Sequence, residues 1–506
     1  MTSLRPRLNR GTLAITCALL FSIGWFAYNV TLPAPQRGLT CCDGAEYVSH
    51  SGKQDVWTMA GPRVFGYPFF LSVFRRALQG DDITSTGWIT PALVTQLLAW
   101  FASAFVLFRA LEKTGRRYPV WGFVLLLAHT SLSSFAAMTL TDSLATSLFC
   151  ITIAALIYLQ LGLKGGRWPP IVAGVALGLA TSMRPSFLVI SACAFALVAC
   201  TAFLRERAGG AGFAPSAKRT LAACVLFAIG FAPFYAKLVS NCYRMHGEIC
   251  VLDSVTMRRV TSEDIFRGVI AVRWWASLTT DYRSTDDTFI NMFAGDCGVQ
   301  GKVSEDAPFR WLISCYARVP WKVPIVFLKK FASGYDNYFL NAYATDETTP
   351  IERAVNRAFC AVGFLGLIMA SLHCLVAVFR GRILDSLYLF LPVGYAFAQV
   401  NSHIEARYFF PTYPIFFLFA CSQLAAFGRK RLLSKVGCAA FVTAIMAYFY
   451  IQTWHWDMRD CWYNYNRIPD TYKRAGLMLA CPPPDQVREA LDTYGRWVPA
   501  FPPGVR

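Results

Sequence analysis

The chain has 506 residues, of which 55% are hydrophobic and only 15% charged, and its formal net charge is +18. Soluble proteins of ordinary composition carry about 25% charged residues, so this composition excludes an ordinary soluble enzyme and favours a membrane protein. The basic excess does not indicate nucleic-acid binding, because it stands in short clusters between apolar runs rather than along one soluble face. Such clusters mark the cytoplasmic side of a membrane. They are Arg5, Arg7 and Arg10; Lys113, Arg116 and Arg117; Lys164 and Arg167; Arg205, Arg207, Lys218 and Arg219; Arg380 and Arg382; and Arg429, Lys430, Arg431 and Lys435.

About eleven apolar runs are predicted to cross the membrane, which makes the fold class an all-α integral membrane protein. They lie at roughly 11–32, 91–111, 119–139, 143–163, 170–182, 186–204, 220–240, 358–379, 383–401, 408–427 and 436–453. The first run is interpreted as an uncleaved span rather than a signal peptide, because it is long and no small-residue cleavage site closes it. With every basic cluster inside, the N-terminus is cytoplasmic and the C-terminus lies outside.

The runs at 170–182 and 186–204 are separated by Met183-Arg184-Pro185-Ser186. The basic loops before and after this pair both favour the cytoplasm, so the pair must contain an even number of crossings. A bent or tilted hairpin fits this requirement and places Arg184 at its outer bend.

The predicted topology divides the chain into four parts. They are an N-terminal membrane module at 1–240 with a first outer loop at 33–90, an outer loop at 241–357, C-terminal membrane helices at 358–453, and an outer tail at 454–506. Within the outer loops, the segments 67–78 and 307–340 mix aromatic, basic and aliphatic residues. That mixture is typical of helices that lie in the membrane interface rather than span it.

Cysteine usage adds a prediction about the outer loops. Of the 17 cysteines, eight are predicted to lie outside, namely Cys41, Cys42, Cys242, Cys250, Cys297, Cys315, Cys461 and Cys481. An even number in an oxidising compartment indicates disulfides. We expect Cys242 and Cys250 to pair, because they are close in sequence and Gly247 is available for a turn between them. No Cys-x-x-Cys spacing occurs, which argues against a zinc cluster.

Charged and polar residues gather where the predicted spans emerge on the outer side. They are Asp43, Glu46, Arg63, Asp142, Arg184, His403, Glu405, Arg407 and Tyr408. Ionisable residues at membrane depth are functional candidates by default. Arginine suits phosphate because its planar fork offers paired donors to two oxygens, and a carboxylate can take the proton of an acceptor hydroxyl. The set therefore favours transfer from a lipid-phosphate donor to a hydroxyl.

Each candidate also has a structural alternative. Asp43 can be a turn former in its loop, and Arg63 can anchor the chain at the headgroups. Asp142 can be the N-cap of a helix that starts at Ser143. Arg184 can cap a carbonyl at the bend. His403 and Glu405, before the tenth span, can form a structural pair with Arg407.

Four short segments resemble C-type glycosyltransferases, the multi-span enzymes that use polyprenyl-phosphate sugars, and in particular the protein O-mannosyltransferase and aminoarabinose transferase lineage. The segments are Asp43-Gly44-Ala45-Glu46-Tyr47 after the first span, PRVFGYPFF from Pro62 to Phe70, GLATSMRP from Gly178 to Pro185, and Glu405-Ala406-Arg407-Tyr408 with Pro411 and Pro414. Their order and common outer location carry the resemblance. It does not extend over 241–357 or the tail.

The resemblance implies roles for these residues. Asp43 would be the general base, with Glu46 as a displaced second acid, and Arg63 and Arg184 would contact the donor phosphate. Arg407 would be a further phosphate or structural contact. The remaining site residues would be Tyr67, Asp142, His403, Glu405 and Tyr408.

The expected reaction is a single inverting displacement on the periplasmic or lumenal side, in a bacterial inner membrane. Members of the lineage can work without a metal, so no cofactor is expected, and a divalent metal stays an alternative. The expected partners are the membrane, a lipid-linked sugar and a glycan, lipid or protein acceptor, with no nucleic acid. Two other functions stay open, an O-antigen polymerase or ligase and a multi-span transporter. A transporter is expected to place its polar residues near mid-membrane within an inverted repeat.

Overall fold

The computed structural model describes residues 10–32, 42–59, 64–80, 86–116, 118–162, 167–251, 308–335, 350–401, 408–427 and 436–451. The long elements in these ranges are all α-helices. In chain order they are α1 (Arg10–Thr31), α2 (Cys42–Ser51), α3 (Gly66–Ala77), α4 (Thr86–Glu112), α5 (Val120–Leu127), α6 (Thr130–Ala136), α7 (Asp142–Leu161), α8 (Trp168–Met183), α9 (Phe187–Ala208), α10 (Phe213–His246), α11 (Pro308–Arg318), α12 (Lys322–Tyr335), α13 (Pro350–Phe379), α14 (Leu387–Gln399), α15 (Tyr413–Phe427) and α16 (Val436–Ile451).

Seven of the described helices are long and apolar enough to cross a membrane: α1, α4, α7, α9, α10, α13 and α15. The chain is therefore an all-α, multi-pass membrane protein, as the composition predicts. Three further predicted spans coincide with shorter apolar helices, α8, α14 and α16. The total of eleven crossings stays a prediction.

The predicted span at 119–139 is not one continuous helix. It breaks after Leu127 into the short helices α5 and α6, with His129 as the residue before α6. The break coincides with a polar run whose side chains bond to other helices. Trp25 Nε1 donates to Ser134 Oγ at 2.7 Å, and Ser131 Oγ donates to Asn356 Oδ1 at 2.7 Å. Cross-helix hydrogen bonds of this kind are common in membrane bundles, where no water satisfies buried hydroxyls.

Glycines allow α8 and α10 to pack with their backbones in contact. A Cβ at Gly230 would lie 2.9 Å from the amide nitrogen of Val175 on α8, and Gly174 lies against the carbonyl of Phe227 on α10. Small residues at such crossings bring membrane helices close enough for extensive van der Waals contact. The hairpin predicted around Arg184 is thereby held against α10.

The first outer loop folds onto the ends of the membrane helices. Asn241 Nδ2, near the end of α10, donates to the carbonyls of Trp57 and Met59, both at 3.0 Å. Lys237 Nζ lies 5.1 Å from the centre of the Trp57 ring. The described part of this loop around Trp57 and Met59, which lies between α2 and α3, is therefore fixed to α10.

The interfacial segments are also helical, with one correction. The predicted helix at 67–78 is α3. Within the segment 307–340, the described residues form two helices, α11 and α12, rather than the single helix expected. The chain turns between them at Val319-Pro320-Trp321, where Pro320 disfavours a helical conformation for the residue before it.

The predicted pairing of Cys242 with Cys250 is confirmed. The two residues form a disulfide with their Cα atoms 5.6 Å apart. Gly247 ends α10 in the left-handed conformation, with φ of +71°, which a residue without a Cβ adopts at little cost. The other six cysteines predicted to lie outside fall beyond the described side chains.

Candidate functional site

Asp142 and Arg184 form a buried ion pair at the end of the bundle that the basic clusters predict to be the outer one. Arg184 Nη1 donates to Asp142 Oδ1 at 2.6 Å, and the two side chains are 15% and 1% exposed. The N-cap interpretation of Asp142 is wrong. Asp142 is itself the first residue of α7, and the preceding Thr141 makes no side-chain capping bond. A charge in this environment is stable only when it is paired.

The sequence around Arg184 explains its position. Pro185 disfavours a helical conformation for the residue before it, so α8 ends at Met183 and Arg184 is extended, with φ −142° and ψ 108°. The side chain then reaches across to Asp142 instead of continuing along the helix. Arg184 Cζ also lies 5.1 Å from the centre of the Tyr408 ring, which fixes the guanidinium plane by a cation–π contact.

Tyr67 connects α3 to the same end of the bundle. Its hydroxyl donates to Gln96 Oε1 at 3.1 Å, and Gln96 Nε2 donates to the carbonyls of Ala136 and Met138 at 3.2 and 3.1 Å. Burial, with further contributions from Tyr47 and Asp142, raises the pKa of Tyr67 well above its usual value. The phenol therefore stays protonated as a donor, and its bond to Gln96 positions the segment that leads into Asp142.

A close backbone contact holds α3 in this place. Gly66 lies against Ser182 at the end of α8, so that a Cβ at position 66 would be 2.5 Å from the Ser182 carbonyl oxygen. Only glycine permits that approach. Since Tyr67 follows Gly66 and Arg184 follows Ser182 by two positions, the contact sets the spacing between the two site residues.

Asp43 and Glu46 lie on α2. Asp43 is in the first turn, where the positive end of the helix dipole stabilises a carboxylate, and it is half-buried while Glu46 is exposed. Tyr47 follows Asp43 by one helical turn and packs edge-on against Tyr67, with ring centres 5.0 Å apart. The contact between Tyr47 and Tyr67 thus connects α2 to the end of the bundle that carries Asp142.

The structure therefore joins Asp142, Arg184 and Tyr408 by direct contacts, and the Tyr47–Tyr67 contact connects α3 to α2, which carries Asp43. A common function of these residues stays a prediction. The remaining predicted site residues lie outside the described residues. They are Arg63, His403, Glu405 and Arg407. Among the residues that are described, no three His, Cys, Asp or Glu side chains are grouped so that they could hold a metal ion.

Gln96, Tyr47 and Gly66 lie at this candidate site and are not among the predicted site residues. Gln96 carries a usable signal, because an amide inside the long apolar helix α4 needs partners that lipid cannot supply. Tyr47 and Gly66 give no such signal in the sequence, since their contacts depend on which helix end packs against them.

No family model matches the sequence, and no curated protein matches it. Three solved structures of an oligosaccharyltransferase from Archaeoglobus fulgidus do match. The complex of AglB with an inhibitory peptide and a dolichol-phosphate has a TM-score of 0.43 and 13% identity over 94% of this chain and 60% of that one. The apo form gives 0.46 and 12%, over 94% and 61%. The form tethered to an acceptor peptide with the NVT sequon gives 0.41 and 11%, over 94% and 59%.

This chain thus spans about three fifths of the length of those proteins. The similarity is too low to assign an activity.

Proposed function

We propose that the protein is a C-type membrane glycosyltransferase that moves a sugar from a polyprenyl-phosphate donor to a hydroxyl acceptor. The reaction takes place at the outer face, which in a bacterial inner membrane is the periplasmic side. The acceptor is a glycan, a lipid or a protein.

The observation that carries the proposal is the Asp142–Arg184 pair and its surroundings. Arg184 is a cation at the end of a bundle of membrane helices, held by Asp142 at 2.6 Å and by the face of Tyr408. The carboxylate-bearing helix α2 reaches the same place through Tyr47 and Tyr67. A carboxylate and an oriented guanidinium at the depth where a lipid phosphate emerges are the two groups that transfer from such a donor requires.

In the proposed reaction, Asp43 accepts the proton of the acceptor hydroxyl as its oxygen attacks the anomeric carbon. The bond between that carbon and the phosphate oxygen breaks, and polyprenyl phosphate leaves with the electron pair, which inverts the anomeric configuration. Assistance by a general base of this kind contributes typically about 10²–10⁴ in rate. Glu46, one turn along α2, is the second candidate base.

Arg184 is proposed to stabilise the phosphate as it departs. A guanidinium has five N–H donors in a fixed fork, and the ion pair with Asp142 engages Nη1. Because Asp142 and Tyr408 already define its position and plane, little side-chain entropy is lost when the phosphate binds. Arg63 and Arg407 are proposed as further phosphate contacts, with His403 and Glu405 supporting Arg407.

The test is release of polyprenyl phosphate by the purified protein in lipid nanodiscs, offered a panel of polyprenyl-phosphate hexoses and pentoses with mixed acceptors. We expect release from at least one donor, and a loss of about 100-fold or more in Asp43→Asn, which keeps the side-chain shape and removes its basicity. Asp55→Asn is the matched control, because Asp55 is an exposed carboxylate in the same loop. Equal release by the wild type and Asp43→Asn contradicts the assigned base, and no release from any donor by folded protein contradicts the proposed function.

A further inference from the structure

A second charged cluster lies at the other end of the bundle, in the turns that the basic residues predict to be cytoplasmic. We call it the Arg116 pocket, formed by Arg116, His373, Ser386 and Phe419. Arg116 follows the C-terminal end of α4, whereas Gln96 of the outer site lies 16 residues before Glu112 at that end. At 1.5 Å per residue the two sites are separated by about 24 Å along the helix.

Arg116 is half-buried and lies against neutral groups. Its Nη2 atom donates to His373 Nε2 at 2.5 Å, and its Cζ atom lies 5.3 Å from the centre of the Phe419 ring. Ser386 Oγ lies 2.8 Å from the same His373 nitrogen. Since a guanidinium can only donate, Nε2 must carry its lone pair, and His373 is a neutral imidazole that adds no charge. The pocket therefore keeps the full positive charge of Arg116.

The nearby carboxylates are already paired with other arginines. Glu112 Oε2 binds Arg109 Nη1 at 2.7 Å, and Asp385 Oδ2 binds Arg382 Nη2 at 2.9 Å. Among the described residues no carboxylate lies within ion-pairing distance of Arg116. A partly desolvated guanidinium without an anionic partner is costly. Two exposed basic residues follow the ends of the same helices, Lys113 after α4 and Arg380 after α13.

The surface around the pocket is apolar. Val120 and Trp121 at the start of α5 are 39% and 47% exposed, and Leu375 and Phe379 at the end of α13 are 51% and 80% exposed. With 30 residues, α13 is about 45 Å long, which exceeds the hydrocarbon thickness of about 30 Å. Its last turns thus reach the headgroup region, where tryptophan is enriched.

We propose that the Arg116 pocket binds the phosphodiester of an anionic phospholipid in the inner leaflet. The guanidinium supplies the paired donors that a phosphate prefers, Lys113 and Arg380 add to the positive potential, and the flanking apolar side chains of α5 and α13 contact the acyl chains. The apolar surroundings favour a lipid over a free anion. The site is independent of the proposed transfer activity.

The test is native mass spectrometry of the delipidated protein titrated with phosphatidylglycerol or with phosphatidylcholine of the same acyl chains. We expect the wild type to retain phosphatidylglycerol more tightly. Arg116→Gln should weaken that binding by about tenfold or more, as expected for loss of a charge-assisted contact. Arg207→Gln is the control, because it removes an equal charge from another turn on the same predicted side.

Three results overturn the proposal. They are phosphatidylglycerol binding by Arg116→Gln equal to that of the wild type, an equal loss of binding in Arg207→Gln, or displacement of the lipid by millimolar inorganic phosphate. If Arg116→Gln does not fold, the proposal is tested with the wild type alone. Its melting temperature should be higher in phosphatidylglycerol than in phosphatidylcholine. A melting temperature that is the same in both lipids contradicts the site.

Discussion

Asp142 and Arg184 stand 42 positions apart in the sequence, yet Asp142 Oδ1 and Arg184 Nη1 are 2.6 Å apart. The pair joins the start of α7 to the end of α8, at the face that is predicted to be the outer one. Each charge offsets the free-energy cost of burying the other. The ion pair does not have to break for the proposed substrate phosphate to bind. The pair is thus a structural element of the bundle and a support for Arg184 in the proposed reaction.

We therefore expect Asp142→Asn to be strongly destabilising, because it removes the buried carboxylate that lies 2.6 Å from the Arg184 guanidinium. The expected loss is about 3–5 kcal/mol in the free energy of unfolding. In the double variant Asp142→Asn with Arg184→Met, most of that loss should be recovered, since both members of the buried ion pair are then neutral. Unfolding in mixed detergent micelles, followed for the wild type, the two single variants and the double variant, gives the coupling energy directly. Additive losses would show that the two side chains do not depend on each other.

Gly66→Ala tests the backbone contact that positions Tyr67. The added methyl group would lie 2.5 Å from the Ser182 carbonyl oxygen, so α3 must shift, at a cost of about 1–3 kcal/mol. We expect a lower melting temperature and, under the proposed function, reduced release of polyprenyl phosphate. Gly394→Ala is the matched control in α14, because no atom lies within 4 Å of its Cβ position. It should be neutral or slightly stabilising, since alanine favours a helix more than glycine does. Equal effects of the two variants would argue against a special contact at Gly66.

The disulfide between Cys242 and Cys250 fixes the chain as it leaves α10, next to Asn241 and its bonds to the first outer loop. For a loop of this length the bond is expected to contribute about 2–3 kcal/mol. We therefore expect Cys250→Ser to lower the melting temperature, whereas Cys193→Ser, at an exposed free cysteine of α9, should leave it unchanged. Mass mapping of non-reduced peptides provides the direct check. Free thiols at both positions in protein isolated from its native membrane would contradict the pairing.

Some features of this structure can be predicted from the sequence on physical grounds, and others cannot. Charges are costly in an apolar bundle, so Asp142 and Arg184 are conspicuous in the sequence, and the Arg-Pro step at Arg184 and Pro185 marks the end of α8. The sequence does not predict which residue pairs with each charge, because the pairing depends on how α7 and α8 pack. The break at His129 interrupts an otherwise apolar run and is stabilised by hydrogen bonds to α1 and α13, which periodicity along one segment does not reveal. Pro320 does signal the division between α11 and α12, although the aromatic composition around it suggests one helix.

The last prediction concerns Lys330, a buried lysine. The free-energy cost of burying its charge makes the stability of the protein depend on pH. Lys330 lies on α12 and is 1% exposed. Its Nζ atom donates at 2.6 Å to the carbonyl of Val400, the residue that directly follows α14. The contact satisfies a carbonyl that the helix itself leaves without a partner. It also fixes the chain just before the segment with His403, Glu405 and Arg407.

Burial lowers the pKa of Lys330 to about 7, against about 10.4 in the unfolded chain. Below pH 7 both states bind the proton, and the folded state carries the full cost of the buried charge. Between pH 7 and about 10.4 the unfolded state binds more protons, so the contribution of Lys330 to stability becomes more favourable as the pH rises. The slope rises to about 1.4 kcal/mol per pH unit above pH 7, which gives about 2 kcal/mol between pH 7 and pH 9.

Lys330→Met removes this titration while keeping the length and apolar stem of the side chain. We expect the variant to be more stable relative to the wild type at pH 7 than at pH 9, and the difference between their melting temperatures to shift steadily across that range. Lys329→Met, at the neighbouring and less buried lysine, controls for the loss of one lysine from the same helix. Titration of cysteines and tyrosines is common to all three proteins and cancels in the comparison. A difference between wild type and Lys330→Met that does not change with pH would mean that Lys330 keeps one protonation state throughout.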